Sequence, residues 1–204
     1  MKLKIYKTFF IILILIIIVL SVLIVIKYRK SYLNEQENKE VLEVFSKEIS
    51  NIENLEENNE NEVNIKINGY KVIGIVKIPK INIEYPILDI DTYNPSETKE
   101  PLKYSIVKYW GNSVNEYGNL SIAGHNNYDG TMFGKTKKLR IGDLVELTDL
   151  NNKTIQYSIH NVFKTDPNDV SILETNNQNI REVTLITCTN GNRQRLIIKA
   201  KEVI

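Results

Sequence analysis

The sharpest contrast along the chain lies between an unbroken apolar run at residues 9–26 and the polar stretch that follows it. At about 1.5 Å per residue, a run of this length just spans the hydrocarbon core of a bilayer. It is longer than the apolar part of a signal peptide, and no small-residue cleavage site follows it. A helix apolar on every face needs a large protein core around it, which the rest of the chain is too small to supply. The pattern therefore predicts an uncleaved transmembrane anchor over 9–26, with residues 1–8 before it. Residues 31–63 turn to Glu, Asn and Lys, and residues 56–62 contain no apolar side chain, as in a solvated linker. Ahead of that tract Val41, Leu42, Phe45, Ile49 and Ile52 recur at helical spacing. The region 27–64 thus reads as a polar, acidic linker or a stalk helix centred on residues 39–55.

From Ile65 the pattern shortens to strand-length apolar runs separated by turn residues. Residues 70–78 form the first run. Pro79-Lys80 interrupts it, and residues 81–88 continue as an edge-type strand, because Pro86 has no amide to donate. Residues 94–102 are polar, with room for a helical turn. Residues 104–107, 119–123, 143–147 and 155–163 are the next strand candidates, the last of them alternating over most of its length. Many short strands, no long helical pattern after the stalk and no glycine loop of nucleotide-binding type predict an all-β barrel or sandwich over residues 65–204.

The last apolar pattern, residues 183–198, is a hairpin. Val183, Thr184, Leu185, Ile186 and Thr187 suit a half-buried pleated surface, Asn190-Gly191 is a strong turn signal, and Leu196, Ile197 and Ile198 open the return strand. The chain's one cysteine, Cys188, falls at the end of the first strand. With a two-residue loop Cys188 pairs with Arg193, and Arg195 is its diagonal neighbour; a longer loop shifts the pairing toward Arg195. Thiolates are the nucleophilic form of cysteine, and nearby cations favour them. The competing reading is a small buried hydrophobe.

Composition narrows the classes. The formal net charge is +1, so no bulk attraction to nucleic acid is expected, and a single cysteine excludes an internal disulfide. Lys2, Lys4 and Lys7 precede the apolar run while Lys27, Arg29 and Lys30 follow it. The positive-inside bias is nearly balanced, and the terminal amine tips it toward a cytoplasmic N-terminus. Of the two histidines, His160 sits inside an alternating strand on the face of Gln156 and Ser158, a solvent-side position. His125 follows the strand-like run 120–124 and opens a loop-forming cluster, where catalytic groups often sit. Cysteine, histidine and arginine together are the parts of acyl transfer through a thioester, as nucleophile, proton carrier and oxyanion stabiliser.

Three motifs carry a resemblance. Thr184-Leu185-Ile186-Thr187-Cys188, with Arg195 seven residues later before an aliphatic strand, resembles the signature of the sortases. Gly124-His125-Asn126 is similar to their histidine motif, and Ile73-Gly74-Ile75-Val76-Lys77-Ile78-Pro79-Lys80-Ile81 to their opening strands. The match covers residues 70–204, in the family's order. The resemblance implies an eight-stranded β-barrel with short helices, tethered by an N-terminal transmembrane helix outside a Gram-positive cell, with the N-terminus in the cytoplasm.

It implies roles as well. Cys188 matches the nucleophile, His125 the group that protonates the leaving amine, and Arg195 the arginine before the last aliphatic strand; Arg193 has no counterpart. The family cuts a Leu-Pro-x-Thr-Gly-like (LPXTG-like) signal on surface proteins between Thr and Gly, then passes the acyl group to an amine, usually on a cell-wall precursor. Residues 166–181 would hold the signal peptide, with Val170, Ile172 and Leu173 as apolar contacts and Thr187 beside them. The missing C-terminal membrane segment and lid, and the short loop before Cys188, point to a housekeeping-like or class D-like member. Some members bind calcium near this loop, but no acidic cluster in the sequence supports such a site, and neither a metal nor any other cofactor is expected. The alternative is a non-catalytic, anchored β-domain that binds a wall component.

Overall fold

A computed structural model describes residues 2–53, 64–90, 95–174 and 179–203. The chain divides into two compact units, residues 1–37 and 38–204. One helix, α1 (Lys2–Glu53), contributes to both. In the first unit its apolar side chains are exposed around the whole circumference, from Phe9 to Ile26. Among the described residues this is the helix long and apolar enough to cross a membrane. Residues 27–53 are helical throughout, in the same helix as the apolar run.

The second unit is built from β1 (Lys66–Ile67), β2 (Tyr70–Ile78), β3 (Ile83–Leu88), β4 (Ile106–Trp110), β5 (Gly118–Ala123), β6 (Leu144–Asp149), β7 (Thr154–Thr165), β8 (Arg181–Thr189) and β9 (Gln194–Glu202). The order β2-β3-β4-β5-β8-β9-β7-β6, closed by β2 pairing with β6, makes an eight-stranded barrel, and β1 is a two-residue addition to β2. Closure removes the exposed sheet edges that an open sheet would carry. Most strands fall where the alternation placed them. The strand anticipated at 104–107 is shifted to Ile106–Trp110, because Tyr104 and Ser105 close a 3-10 turn onto the Pro101 carbonyl. β3 is not an edge strand throughout: Pro86 lies opposite Ile75, and the last two residues, Ile87 and Leu88, also pair with β4. A 3-10 turn at Pro79–Ile81 separates β2 from β3, and residues 94–102 hold two more, Pro95–Lys99 and Pro101–Lys103.

The barrel interior is packed with inward-facing Ile73, Val76, Ile78, Leu120, Ile122, Leu185 and Ile198, among others. A register shift between Val72 and Gly74 sets the parity of β2. Its outward residues Val72 and Ile75, with Leu88 and Val107 of the neighbouring strands, are apolar too. Such a face must be covered. Phe45 of α1, 2% exposed, covers it with Val41 and Leu42, and burying one phenylalanine contributes about 2–3 kcal/mol. Ile49 and Ile52 have side chains outside the described set.

Candidate active site

β5 and β8 run parallel, with Ala123 beside Ile186. Two residues past each pair member come His125 and Cys188, so parallel pairing alone sets them at adjacent strand ends. β8 and β9 are antiparallel, with Cys188 opposite Arg195. The hairpin loop therefore has four residues, 190–193, and Asn190, Gly191 and Asn192 all take positive φ. Asparagine and glycine accept that conformation most readily. Arg195 is therefore the cross-strand partner of Cys188, while Arg193 lies exposed in the turn.

Parity decides which face the site occupies. Val183 and Leu185 face the barrel interior, while Ile186 joins an outer cluster with Ala123, Ile172 and Ile197. Cys188 shares the outer parity of Ile186 and Arg195 that of Ile197. The site is thus a groove on the outside of the barrel. It is a cavity of about 400 Å³ lined by Cys188, His125 and Arg195 together with Val170, Ile172, Leu173 and Thr187. All seven residues singled out from the sequence meet there. Cys188 is partly exposed. His160 is exposed and lies 3.5 Å from a Glu182 oxygen, away from the cavity lining.

Two hydrogen bonds tie the strand ends together. The Thr187 hydroxyl donates to the Gly124 carbonyl at 2.7 Å, and the Asn126 side-chain amide donates to the Cys188 carbonyl at 2.8 Å. Thr187 is 4% exposed on the interior parity. It borders the cavity, and its hydroxyl ties β8 to the histidine loop. The loop itself is pinned. The Phe133 amide donates to the His125 carbonyl at 3.0 Å, Asn126 bridges Met132, and a Cβ on Gly124 would lie 2.7 Å from the Phe133 ring. That close approach is why glycine precedes the histidine. Burial lowers the His125 pKa below the ordinary histidine value, which favours the neutral imidazole. Among the described residues, neither the Cys188 thiol nor the His125 imidazole is held by another side chain. The Arg195 guanidinium donates to the Asn192 carbonyl at 3.3 Å and the Gln194 carbonyl at 3.5 Å.

The remaining walls come from segments that sequence reasoning did not assign to the site. Thr98, Lys99 and Leu102 line one side, and Tyr109 stands with them. Residues 98–102 showed in the sequence only a polar stretch with room for a helical turn, and Tyr109 lies on β4. Asn119, 5% exposed on β5, donates to the Leu173 carbonyl at 3.0 Å and accepts from the Thr184 hydroxyl at 2.9 Å, fixing the loop that carries Ile172 and Leu173. The carboxylates of that loop are committed locally. Asp166 accepts from the Asn168 amide, and Asp169 from the Ser171 amide and hydroxyl and from Thr165. These bonds, first Ser171's and then Thr165's, hold the Asp169 carboxyl below its ordinary pKa. No three acidic, histidine or cysteine side chains converge among the described residues.

Comparison with known proteins agrees with this arrangement. A family model described as the Sortase domain matches residues 76–203. Sortase A of Bacillus anthracis is 29% identical over 138 residues, 66% of this chain, and the chain spans 61% of that relative's length. Sortase A of Staphylococcus aureus is 24% identical over 175 residues, covering 85% of this chain and 82% of its own. Among solved structures, a Clostridium perfringens Sortase D5 transpeptidase superposes with a TM-score of 0.61 at 28% identity, covering 84% of this chain and 98% of its own. Sortase A of Corynebacterium diphtheriae shares the fold, with a TM-score of 0.57 at 23% identity over 66% of this chain and 62% of its own. With the family model spanning both strand ends and the hairpin, the chain belongs to the sortase family.

Proposed function

We propose that this chain is a cysteine transpeptidase that cleaves an LPXTG-like sorting signal between Thr and Gly and transfers the acyl fragment to a cell-wall amine. The observation that carries the reading is the meeting of Cys188, His125 and Arg195 on one cavity wall. The Cys188 sulfur attacks the threonine carbonyl carbon while the neutral His125 imidazole takes the thiol proton. The resulting oxyanion is stabilised by the Arg195 guanidinium, released from the hairpin carbonyls it now bonds. The carbon–nitrogen bond breaks, His125 returns the proton to the glycine amine, and a thioester remains on Cys188. The incoming amine attacks that thioester, loses a proton to the site, and leaves as a new amide with the thiol restored. Val170, Ile172 and Leu173 offer the peptide apolar contacts with Thr187 beside them, and the reaction needs no metal.

The apolar helix would be a single-pass anchor over 9–26, with residues 1–8 cytoplasmic, 27–64 as the connecting stalk and 65–204 as the catalytic domain outside the cell. The C. perfringens relative's description as a Sortase D5 transpeptidase supports a class D-like assignment. The test is turnover of a Leu-Pro-x-Thr-Gly peptide by the full chain in detergent, with and without an added amine. Ligation should require the amine, and Cys188→Ala should abolish both cleavage and ligation. Arg195→Lys should lose about 10²-fold, since a point charge does not replace a planar fork, whereas Arg193→Ala should stay close to wild type. Full turnover in the Cys188 variant, or the reverse ranking of the arginines, refutes the assignment.

A further inference from the structure

The part of α1 that belongs to the barrel unit touches the same short segment that walls the active groove. Asn38, 3% exposed, donates from its side-chain amide to the Tyr104 carbonyl at 2.8 Å. Phe45 packs into the outer cluster with Val72, Leu88 and Val107, against which Tyr104 and Leu102 also rest. Leu102 has a second set of neighbours. It packs on the cluster of Ala123, Ile172 and Ile186 beneath the groove, and it lines the groove with Thr98 and Lys99. One side chain therefore bridges the helix-covered face and the groove.

The described part of the segment between β3 and β4 is built from turns. Its two 3-10 turns, Pro95–Lys99 and Pro101–Lys103, make no strand ladder. The Lys103 amide donates to the Glu100 carbonyl at 3.0 Å, and the Tyr104 and Ser105 amides donate to the Pro101 carbonyl at 2.9 and 3.2 Å. The segment also reaches strands at its two ends, where the Asp89 amide donates to the Lys71 carbonyl at 2.8 Å and the Ser105 hydroxyl to the Pro86 carbonyl at 2.7 Å. The main chain at Tyr104 is fixed from outside by Asn38.

We propose that residues 38–45 of α1 act as a positioning element of the groove, with Asn38 and Phe45 holding Tyr104 and Leu102 so that Thr98, Lys99 and Leu102 stand as a preformed wall for the sorting peptide. The peptide's role rests on the reading above; the holding of the wall does not. Neither Asn38 nor Phe45 touches the reacting groups, so their removal acts on peptide binding and leaves the chemical step alone.

The experiment compares the full wild-type chain with Asn38→Ala, Phe45→Ala and the milder Phe45→Leu, all in detergent. Hydrogen exchange at the Lys103, Tyr104 and Ser105 amides reads the wall directly. Exchange there should quicken about tenfold in Asn38→Ala and Phe45→Ala while β5 and β8 amides keep wild-type protection, and Phe45→Leu should recover most of the difference. With a Leu-Pro-x-Thr-Gly peptide, KM should rise about fivefold and kcat stay within twofold. Unchanged exchange at these amides in both alanine variants overturns the proposal, as does a fall in kcat at constant KM. If Phe45→Ala unfolds the barrel, Asn38→Ala and Phe45→Leu decide by the same criteria. A wild-type chain that turns over no peptide sinks the activity reading, and the exchange result then decides the positioning role by itself.

Discussion

The two rims of the barrel are built from the same strands and treat polar groups in opposite ways. β5 and β8 start side by side at Gly118 and Arg181, and β9 ends beside them at Glu202. At that rim Arg181 donates to the Asn115 carbonyl at 2.7 Å and to Glu202 at 2.8 Å, and stacks 3.9 Å over the Tyr117 ring. The Asn115 amide donates to the Leu147 carbonyl, the Asp149 carboxylate and the Lys153 carbonyl, while its oxygen accepts from the Tyr157 hydroxyl. Burial pushes the Tyr157 phenol up, so it stays a donor. At the other rim, β5 and β8 end in His125 and Cys188, whose reactive atoms face a cavity. A closed barrel has two places where strand ends expose polar chemistry. This chain uses one to seal the cylinder and the other to present a nucleophile.

The contrast predicts that damage at the two rims separates into stability and activity. Asn115→Ala should have the largest effect on stability. It strands several buried partners at once and forces alanine into a positive φ of 63. The loss should be about 3 kcal/mol, which lowers the melting temperature by about 10 °C in a domain of this size. The protein that remains folded should turn over peptide with wild-type kcat and KM. Calorimetry paired with kinetics below the transition checks both halves. A tenfold activity loss in a fully folded Asn115 variant would erase the separation.

Gly124→Ala tests the active rim. The added methyl meets Phe133 at 2.7 Å, and such overpacking costs about 1–3 kcal/mol. The site should suffer more than the fold, because a displacement of about 1 Å in a catalytic group can cost about 10²-fold. Adding Phe133→Leu should return part of the activity, since it clears the colliding ring edge. Thermal stability and kcat/KM measured on both variants would show whether the histidine loop or the barrel absorbs the strain.

The same contrast explains what could be read from residues alone. The reactive rim was legible because it lies on local patterns: a strand ending in cysteine, a strand ending in Gly-His, and a turn-rich hairpin. The length of that hairpin loop was not, since Asn190-Gly191-Asn192-Arg193 contains glycine and asparagine enough for either register. The side to which the Thr187 hydroxyl points is not readable either, because parity is ambiguous until the register is known. The groove wall at Thr98, Lys99 and Leu102 and the sealing network at Asn115 depend on contacts between distant segments, and neither has a periodic signature. The apolar face of residues 38–45 announced a helix with something to cover, but not which strands it would cover.

The smallest effect expected is on pH dependence, and it concerns His125. Burial lowers its folded-state pKa, so the folded protein binds that proton less readily than the unfolded chain does. The sign follows from linkage: stability is intact above the ordinary histidine value of about 6.5 and declines as pH falls through it toward the depressed folded value. His125→Gln removes the titrating group while keeping a polar side chain. Its urea midpoint should therefore fall less between pH 7.5 and pH 5.5 than that of the parent chain. Tyr157 and the Arg181–Glu202 pair do not supply this slope, since Tyr157 is shifted upward and Arg181 raised, and both keep their protons across this interval. Glu202 is pulled down through Arg181 despite its desolvation, and it adds a decline of its own only at more acidic pH. Equal acid sensitivity in the two proteins would place the titrating group elsewhere, and the burial of His125 would then have no energetic consequence for the fold.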